Sequence, residues 1–261
     1  MVTVIVGVKA AEGVVLAADG YQRDGYKVYD SARKLFTLKQ QPQVAIAFYG
    51  RLCMRCPRCV PPGTLVADFD AMLPAVAAGG ELTVEEVAGQ LGRFLRDRWN
   101  GYRMPDGGLE MGVVVAGVDR AAEYGDVYAL TIPSGATALR VAATNGGDFF
   151  IAAWQRKEYT EKIKELYGFP LDQMPIEAVG ELAEALIEGT IVMDRLSNWE
   201  QSVGGTAEVV TITPGEGARW FRQKSHWVGS GKRSTGRGRS RKIRRPLADF
   251  CERLGRERRG V

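Results

Sequence analysis

The period of the apolar positions changes several times along the chain, and the changes mark out its elements. VTVIVGV and VVLAAD, joined by KAAEG, are apolar runs of strand length with a glycine in the connection, which predicts a hairpin whose strands are buried on both faces. After a polar stretch ending near Lys34, LFTL and VAIAF predict two more short strands, rich in Val, Ile and Phe. The spacing then becomes helical in TLVADFDAML, after Pro61-Pro62-Gly63, and in TVEEVAGQLGRFLRDRW, where Thr83 and Glu86 form a capping box. LEMGVVVAGVD and DVYALTI return to the strand pattern, with EYG as the turn between them. From Phe149 to Tyr167 and from Pro175 to about Leu196 the apolar spacing predicts two more helices, the second with Pro175 in a first turn, where a missing N–H costs nothing. AEVVTIT and ARWF predict the closing strands.

The order is strands, two helices, strands, two helices, strands. It predicts an α+β fold of four αββα layers, two antiparallel sheets sandwiched between helical layers. No repeat of 20–50 residues interrupts it.

Composition adds the class and the boundary. The 261 residues are 45% apolar and 25% charged, the balance of a globular protein. No apolar run approaches the roughly 18 residues of a membrane helix, and the first residues lack the pattern of a signal peptide, so the expected location is cytoplasmic, with no membrane partner. The net charge of +4 is unevenly spread: residues 222–261 hold 14 of the 35 Lys/Arg and three of the 31 Asp/Glu, leaving a body of −7 and an arm of +11. GSGKRSTGRGRSRKIRR has little to bury and repels itself. The expected organisation is a folded domain over residues 1–221 and a disordered basic arm over 222–261. The arm could attract phosphates through counterion release, but aromatic residues for stacking on bases are nearly absent. A solvated tail or a frame-shifted terminus is the competing reading.

Three of the four cysteines, Cys53, Cys56 and Cys59, stand in CMRCPRC, and the fourth, Cys251, is in the arm. Such a run can give three thiolates to zinc or to an iron–sulfur cluster, but a structural zinc site needs a fourth ligand and the only histidine is His226, in the arm. A metal-binding insertion, a redox-sensitive loop and a locally shifted reading frame all remain open for RLCMRCPRCVPP. No metal is assigned.

With its single histidine in the arm, the body has no Ser-His-Asp or Cys-His arrangement. A hydrolase built this way needs another base, and an N-terminal α-amine, with a pKa near 8, serves without tuning. Thr3 opens the first strand, Asp19 closes the second, and Lys34 precedes LFTL. Paired strands would bring the three together, the ammonium lowering the pKa of the hydroxyl and the carboxylate keeping the ammonium charged. Taken singly, each is also an ordinary strand-end residue.

TVIVGVKAAEGVVLAAD, ARKLF and AIAFYG together resemble the N-terminal half of the proteasome β-type subunits, a family of N-terminal-nucleophile hydrolases, and the resemblance extends over residues 3–221. It implies that Thr3 is the nucleophile, that Asp19 and Lys34 are its charged partners, and that Gly50 donates the oxyanion-hole N–H. In QSVGGTAEVVTIT, Ser202 matches the serine of the family's Asp-x-x-Ser-Gly-Gly, which helps position the threonine amine, with Val203 in place of a glycine and Glu200 as a weaker match for the acid. Thr144, Asn145 and Gly146 in TNGGDFF fall where the family has a small-residue turn at the site. Both Gly-Gly pairs are also plain turns or bends.

The resemblance implies threonine-dependent hydrolysis of peptide bonds without metal or organic cofactor. It also implies homo-oligomeric rings, unfolded polypeptide or peptide substrates, and an AAA+ ATPase unfoldase as partner. Thr3 gains a free amine only when Met1 and Val2 are removed, and Val2 stands where the family usually has a glycine. Two alternatives follow: an amidase or acyl-transfer enzyme acting on one defined amide, and an uncut, inactive structural subunit whose arm tethers nucleic acid.

Overall fold

A computed structural model describes residues 3–24, 27–50, 52, 54–55, 59–76, 79–102, 110–140, 148–153, 170–197 and 202–223. The chain divides into two units, Met1–Lys224 and Ser225–Val261, of which the second lies outside the described residues. The first is α+β, with two antiparallel sheets.

One sheet holds β1 (Val4–Ala10), β2 (Gly13–Ala18), β12 (Asp148–Ala153), β13 (Glu208–Thr213) and β14 (Gly217–Arg222), in the order β12-β1-β2-β13-β14. The other holds β5 (Leu35–Thr37), β6 (Val44–Gly50), β9 (Met111–Gly117), β10 (Asp126–Ile132) and β11 (Gly135–Arg140), in the order β11-β10-β9-β6-β5. Two short ribbons lie apart from them, β3 (Gln22–Asp24) with β4 (Lys27–Tyr29) and β7 (Met54–Arg55) with β8 (Cys59–Val60). Among the described residues the α-helices are α1 (Pro62–Asp70), α2 (Val84–Gly101) and α3 (Ile176–Leu196).

Strand alternation sorts the side chains into three apolar clusters. Val4, Val6 and Val8 of β1, with Val15 and Ala17 of β2, pack against Val179, Ala183, Leu186 and Ile187 of α3. Their neighbours Ile5, Val14, Leu16 and Ala18 face Leu35, Ala45, Ala47, Val114 and Ala116 of the second sheet. The other face of that sheet, through Val44, Ile46, Phe48, Val113 and Val115, packs on Leu65 of α1 and on Val87, Leu91 and Leu95 of α2. The apolar runs of β1, β2, β6 and β9 are thus continuous because each strand is covered on both sides. Alanines at the contact between the sheets let them approach closely.

The capping box at α2 forms: Thr83 Oγ1 accepts from Glu86 N at 3.2 Å and Glu86 Oε2 accepts from Thr83 N at 2.8 Å. A second carboxylate, Asp119 Oδ1, accepts from Val84 N at 2.8 Å. α3 starts after Pro175, with Glu12 Oε2 from the first hairpin accepting from Ile176 N at 2.8 Å. These anions sit at the positive ends of the helices.

One expectation is corrected. Phe149 to Ala153 belong to β12, paired antiparallel with β1, rather than to a helix starting at Phe149. Two phenylalanines and an isoleucine suit a pleated surface, and the pairing completes the hydrogen bonds of β1. Residues 154–167, the rest of that expected helix, lie outside the described residues. β14 reaches Arg222, one residue into the segment expected to be arm. Among the described residues, no helix is long and apolar enough to cross a membrane.

Leu91, fully buried between α2 and the second sheet, offers a test of this layering. Leu91→Ala is expected to lower the unfolding free energy by about 3 kcal/mol, through lost transfer energy and the cavity left behind. Met72→Ala, at a side chain 68% exposed, is expected to change it by less than about 0.5 kcal/mol. Urea denaturation followed by tryptophan fluorescence measures both.

Candidate active site

Thr3, Asp19 and Lys34 lie at strand ends, each one residue outside an apolar run. Thr3 precedes β1, Asp19 follows β2, and Lys34 precedes β5. β1 and β2 are antiparallel, with Ile5 opposite Ala18, so the start of one and the end of the other share one end of their sheet. Lys34 comes from the other sheet, where its carbonyl accepts from Phe48 N of β6 at 2.9 Å.

The three side chains meet there. Lys34 Nζ donates to Thr3 Oγ1 at 2.9 Å and to Asp19 Oδ1 at 2.8 Å, and all three residues are fully buried. Asp19 is held by backbone donors as well: Val4 N reaches Oδ1 at 3.1 Å, while Tyr21 N at 3.1 Å and Gly204 N at 3.3 Å reach Oδ2. A carboxylate with four donors is fixed in both position and rotamer.

Burial pushes the Lys34 ammonium below the ordinary lysine range, while the charge and hydrogen bond of Asp19, and more weakly the charge of Glu208, pull the other way. The result is a cation against the Thr3 hydroxyl that releases its proton more readily than a surface lysine. Such a group stabilises negative charge developing on the threonine oxygen.

Ser202 lies two residues before Gly204, the donor to Asp19, and its own bonds go to Asp194. Its Oγ donates to Asp194 Oδ1 at 2.9 Å and its N to Asp194 Oδ2 at 2.7 Å, and Val203 N donates to the same Oδ2 at 3.1 Å. The next residue closes onto the site, since Gly204 O accepts from Gly20 N at 2.9 Å. Gly205 has φ +73°, and a Cβ there would collide with Asp30 O, so this position needs a glycine. Gly205 therefore fixes a close turn next to Gly204, which bonds the Asp19 loop.

Gly50 ends β6 with φ +69°, and an added Cβ would lie 2.6 Å from Glu110 O. It is two residues beyond Phe48, the donor to Lys34 O, at the same end of the second sheet. Glu200, Thr144, Asn145 and Gly146 lie outside the described residues, as do Cys53 and Cys56. Cys59 is described only in its backbone, paired with Arg55.

Asp194 is the functional candidate that the sequence reading passed over. It lies in the last turn of α3, on the stripe of Ile187, Thr190 and Ile191, and is fully buried. An acid at helical spacing on an apolar stripe is the signal that could have found it. Compared with protein-family models and with curated proteins, the chain matches none.

Asp194→Asn weakens three charge-assisted bonds to the 202–203 segment. Hydrogen exchange at the Ser202 and Val203 amides is expected to accelerate by about tenfold or more, while the amides of β9 keep their protection. Equal exchange at 202–203 in both proteins would mean that Asp194 does not hold this segment.

Proposed function

We propose that this chain is an N-terminal-nucleophile threonine peptidase of the proteasome β-subunit kind, built on the αββα sandwich of that family. The observation that carries this reading is the buried Lys34 ammonium held between Thr3 Oγ1 and Asp19 Oδ1 at the start of the first strand. The three layers of apolar contact, helix on sheet, sheet on sheet and sheet on helix, support it. So does the acid–serine contact between Asp194 and Ser202, which keeps the pairing of the family's Asp-x-x-Ser-Gly-Gly with the acid eight residues ahead of the serine.

In this mechanism, cleavage of the Val2–Thr3 bond frees the Thr3 amine. Thr3 Oγ attacks the substrate carbonyl carbon while the amine takes its proton. Lys34, kept charged by Asp19, stabilises the oxygen as its pKa falls, and Gly50 N–H receives the oxyanion. Collapse expels the leaving amine, which takes the proton, and water deprotonated by the same Thr3 amine hydrolyses the acyl-threonine ester. The ring assembly, the unfolded substrates and an AAA+ unfoldase belong to the same reading, and a monomer on a sizing column would remove the ring.

A second reading has one observation in its favour. Thr3 is fully buried as the chain stands, and without cleavage it has no free amine, as a structural subunit would have none.

Intact mass and N-terminal sequencing separate the two. The peptidase reading expects the purified protein to begin at Thr3, Thr3→Ala to keep the preceding residues, and both Thr3→Ala and Lys34→Met to lose hydrolysis of fluorogenic peptides by at least about a thousandfold. Retention of Val2 in the unaltered protein would sink it.

kcat/KM is expected to rise as the Thr3 amine loses its proton near pH 8 and to fall again as Lys34 loses its own. Because the Lys34 pKa lies below the ordinary lysine value of 10.5, this alkaline fall begins below the range of a surface lysine. Initial rates across the alkaline range measure it.

A further inference from the structure

Among the described residues, one wholly buried acid has no part in the mechanism or in the contact with Ser202. Glu208 opens β13, is fully buried, and lies opposite Ala18 of β2, the residue immediately before Asp19. Its strand-mates Val210 and Ile212 face the contact between the two sheets, and strand alternation puts Glu208 on the same face. Ala18 in turn lies opposite Ile5, two residues from Thr3. Glu208, Ala18 and Ile5 thus form one rung at the end of the sheet where Lys34 arrives.

We propose that Glu208 is a positioning residue for Lys34, a second buried carboxylate that holds the ammonium in place and charged beside Thr3. Two carboxylates act on this ammonium, Asp19 from the end of β2 and Glu208 from β13, while the adjacent Arg33 is turned to the rings of Phe36 and Trp220. Burial works against the charge on Lys34, and Glu208 opposes that effect. One carboxylate already bonds Lys34 directly, so the second acts across space.

The role of Glu208 in hydrolysis rests on the peptidase reading. There, one cation faces two carboxylates before cleavage, and the Thr3 amine adds a second cation each time it accepts a proton from Oγ. Glu208 is the counter-charge that lets the amine become an ammonium beside Lys34 without either being expelled. The coupling between Glu208 and Lys34 is independent of any hydrolysis.

The test is an NMR titration of the Lys34 side chain in the full-length protein labelled at lysine Cε, with the signal assigned by its loss in Lys34→Arg. Glu208→Gln is expected to lower the pH at which Lys34 loses its proton by about one unit, and Glu208→Asp, which keeps the charge, by much less. An unchanged Lys34 titration in Glu208→Gln overturns the proposal. Should Glu208→Gln not fold, Glu208→Met, an apolar side chain of similar length that leaves no unpaired amide, takes its place: the same downward shift of the Lys34 titration is expected, and an unchanged titration overturns the proposal. A shift in a protein that hydrolyses no peptide upholds the coupling and removes the peptidase reading. No shift in an active peptidase does the reverse.

Discussion

A lysine and an aspartate buried together, Lys34 Nζ 2.8 Å from Asp19 Oδ1, set the conditions that the rest of this site must meet. Taking either charge out of water is expensive, and the pair persists only where every remaining hydrogen-bonding position is filled. Asp19 fills its positions with backbone N–H groups from the start of β1, from Tyr21 and from the turn before β13. Lys34 gives one of its protons to Thr3 Oγ1. A single carboxylate therefore joins three segments of one sheet to a side chain from the other. Removing one partner of such a pair typically costs about 3–5 kcal/mol, because the survivor is left buried and unpaired.

The parts of the fold legible in the sequence are those whose faces are both covered. β1, β2, β6 and β9 announce themselves as apolar runs because helices or the opposite sheet lie on each side. α2 is legible from its amphipathic spacing and its capping box. β11, GATALR, is hard to see because Ala and Gly have little strand preference, and its pairing with β10 makes it a strand. β3 and β4 are three residues each and largely polar, too short for any period. At Phe149–Ala153 the local spacing allowed a helix, and the long-range partner β1 decided otherwise.

The site divides in the same way. Thr3 and Asp19 can be read from the chain because they bracket two strands that pair as a hairpin, so their meeting follows from local topology, while Lys34 reaches them from the other sheet and is legible through the chemistry the pair calls for. Asp194 offers only its helical spacing on an apolar stripe and Glu208 offers no signal, since each acquires its meaning from a contact that only the folded chain makes. Asp194 looks like a polar residue near a helix end until the turn of α3 places it on the buried stripe under Ser202. Glu208 looks like the exposed start of a strand until β13 pairs with β2 and its first residue falls beside the end of that strand.

Thr3, Asp19, Lys34 and Glu208 obey one geometric rule. Between the sheets the layer is apolar and closely packed, with Ala18, Ala45, Ala47 and Ala116 among its contacts, and such a layer has no room for a solvated charge. The layer ends where its strands end, and there the alternation that gives Ile5, Leu16 and Val210 in the interior gives Thr3 and Glu208 at the rim. Asp19 and Lys34 are each the first residue outside a strand, free of the ladder and able to turn toward that rim. The polar cluster is thus seated on a rigid apolar floor, which fixes the approach of its groups to one another. An ammonium whose neighbours cannot move apart keeps its orientation as charge develops on the hydroxyl beside it, which is the condition electrostatic catalysis requires.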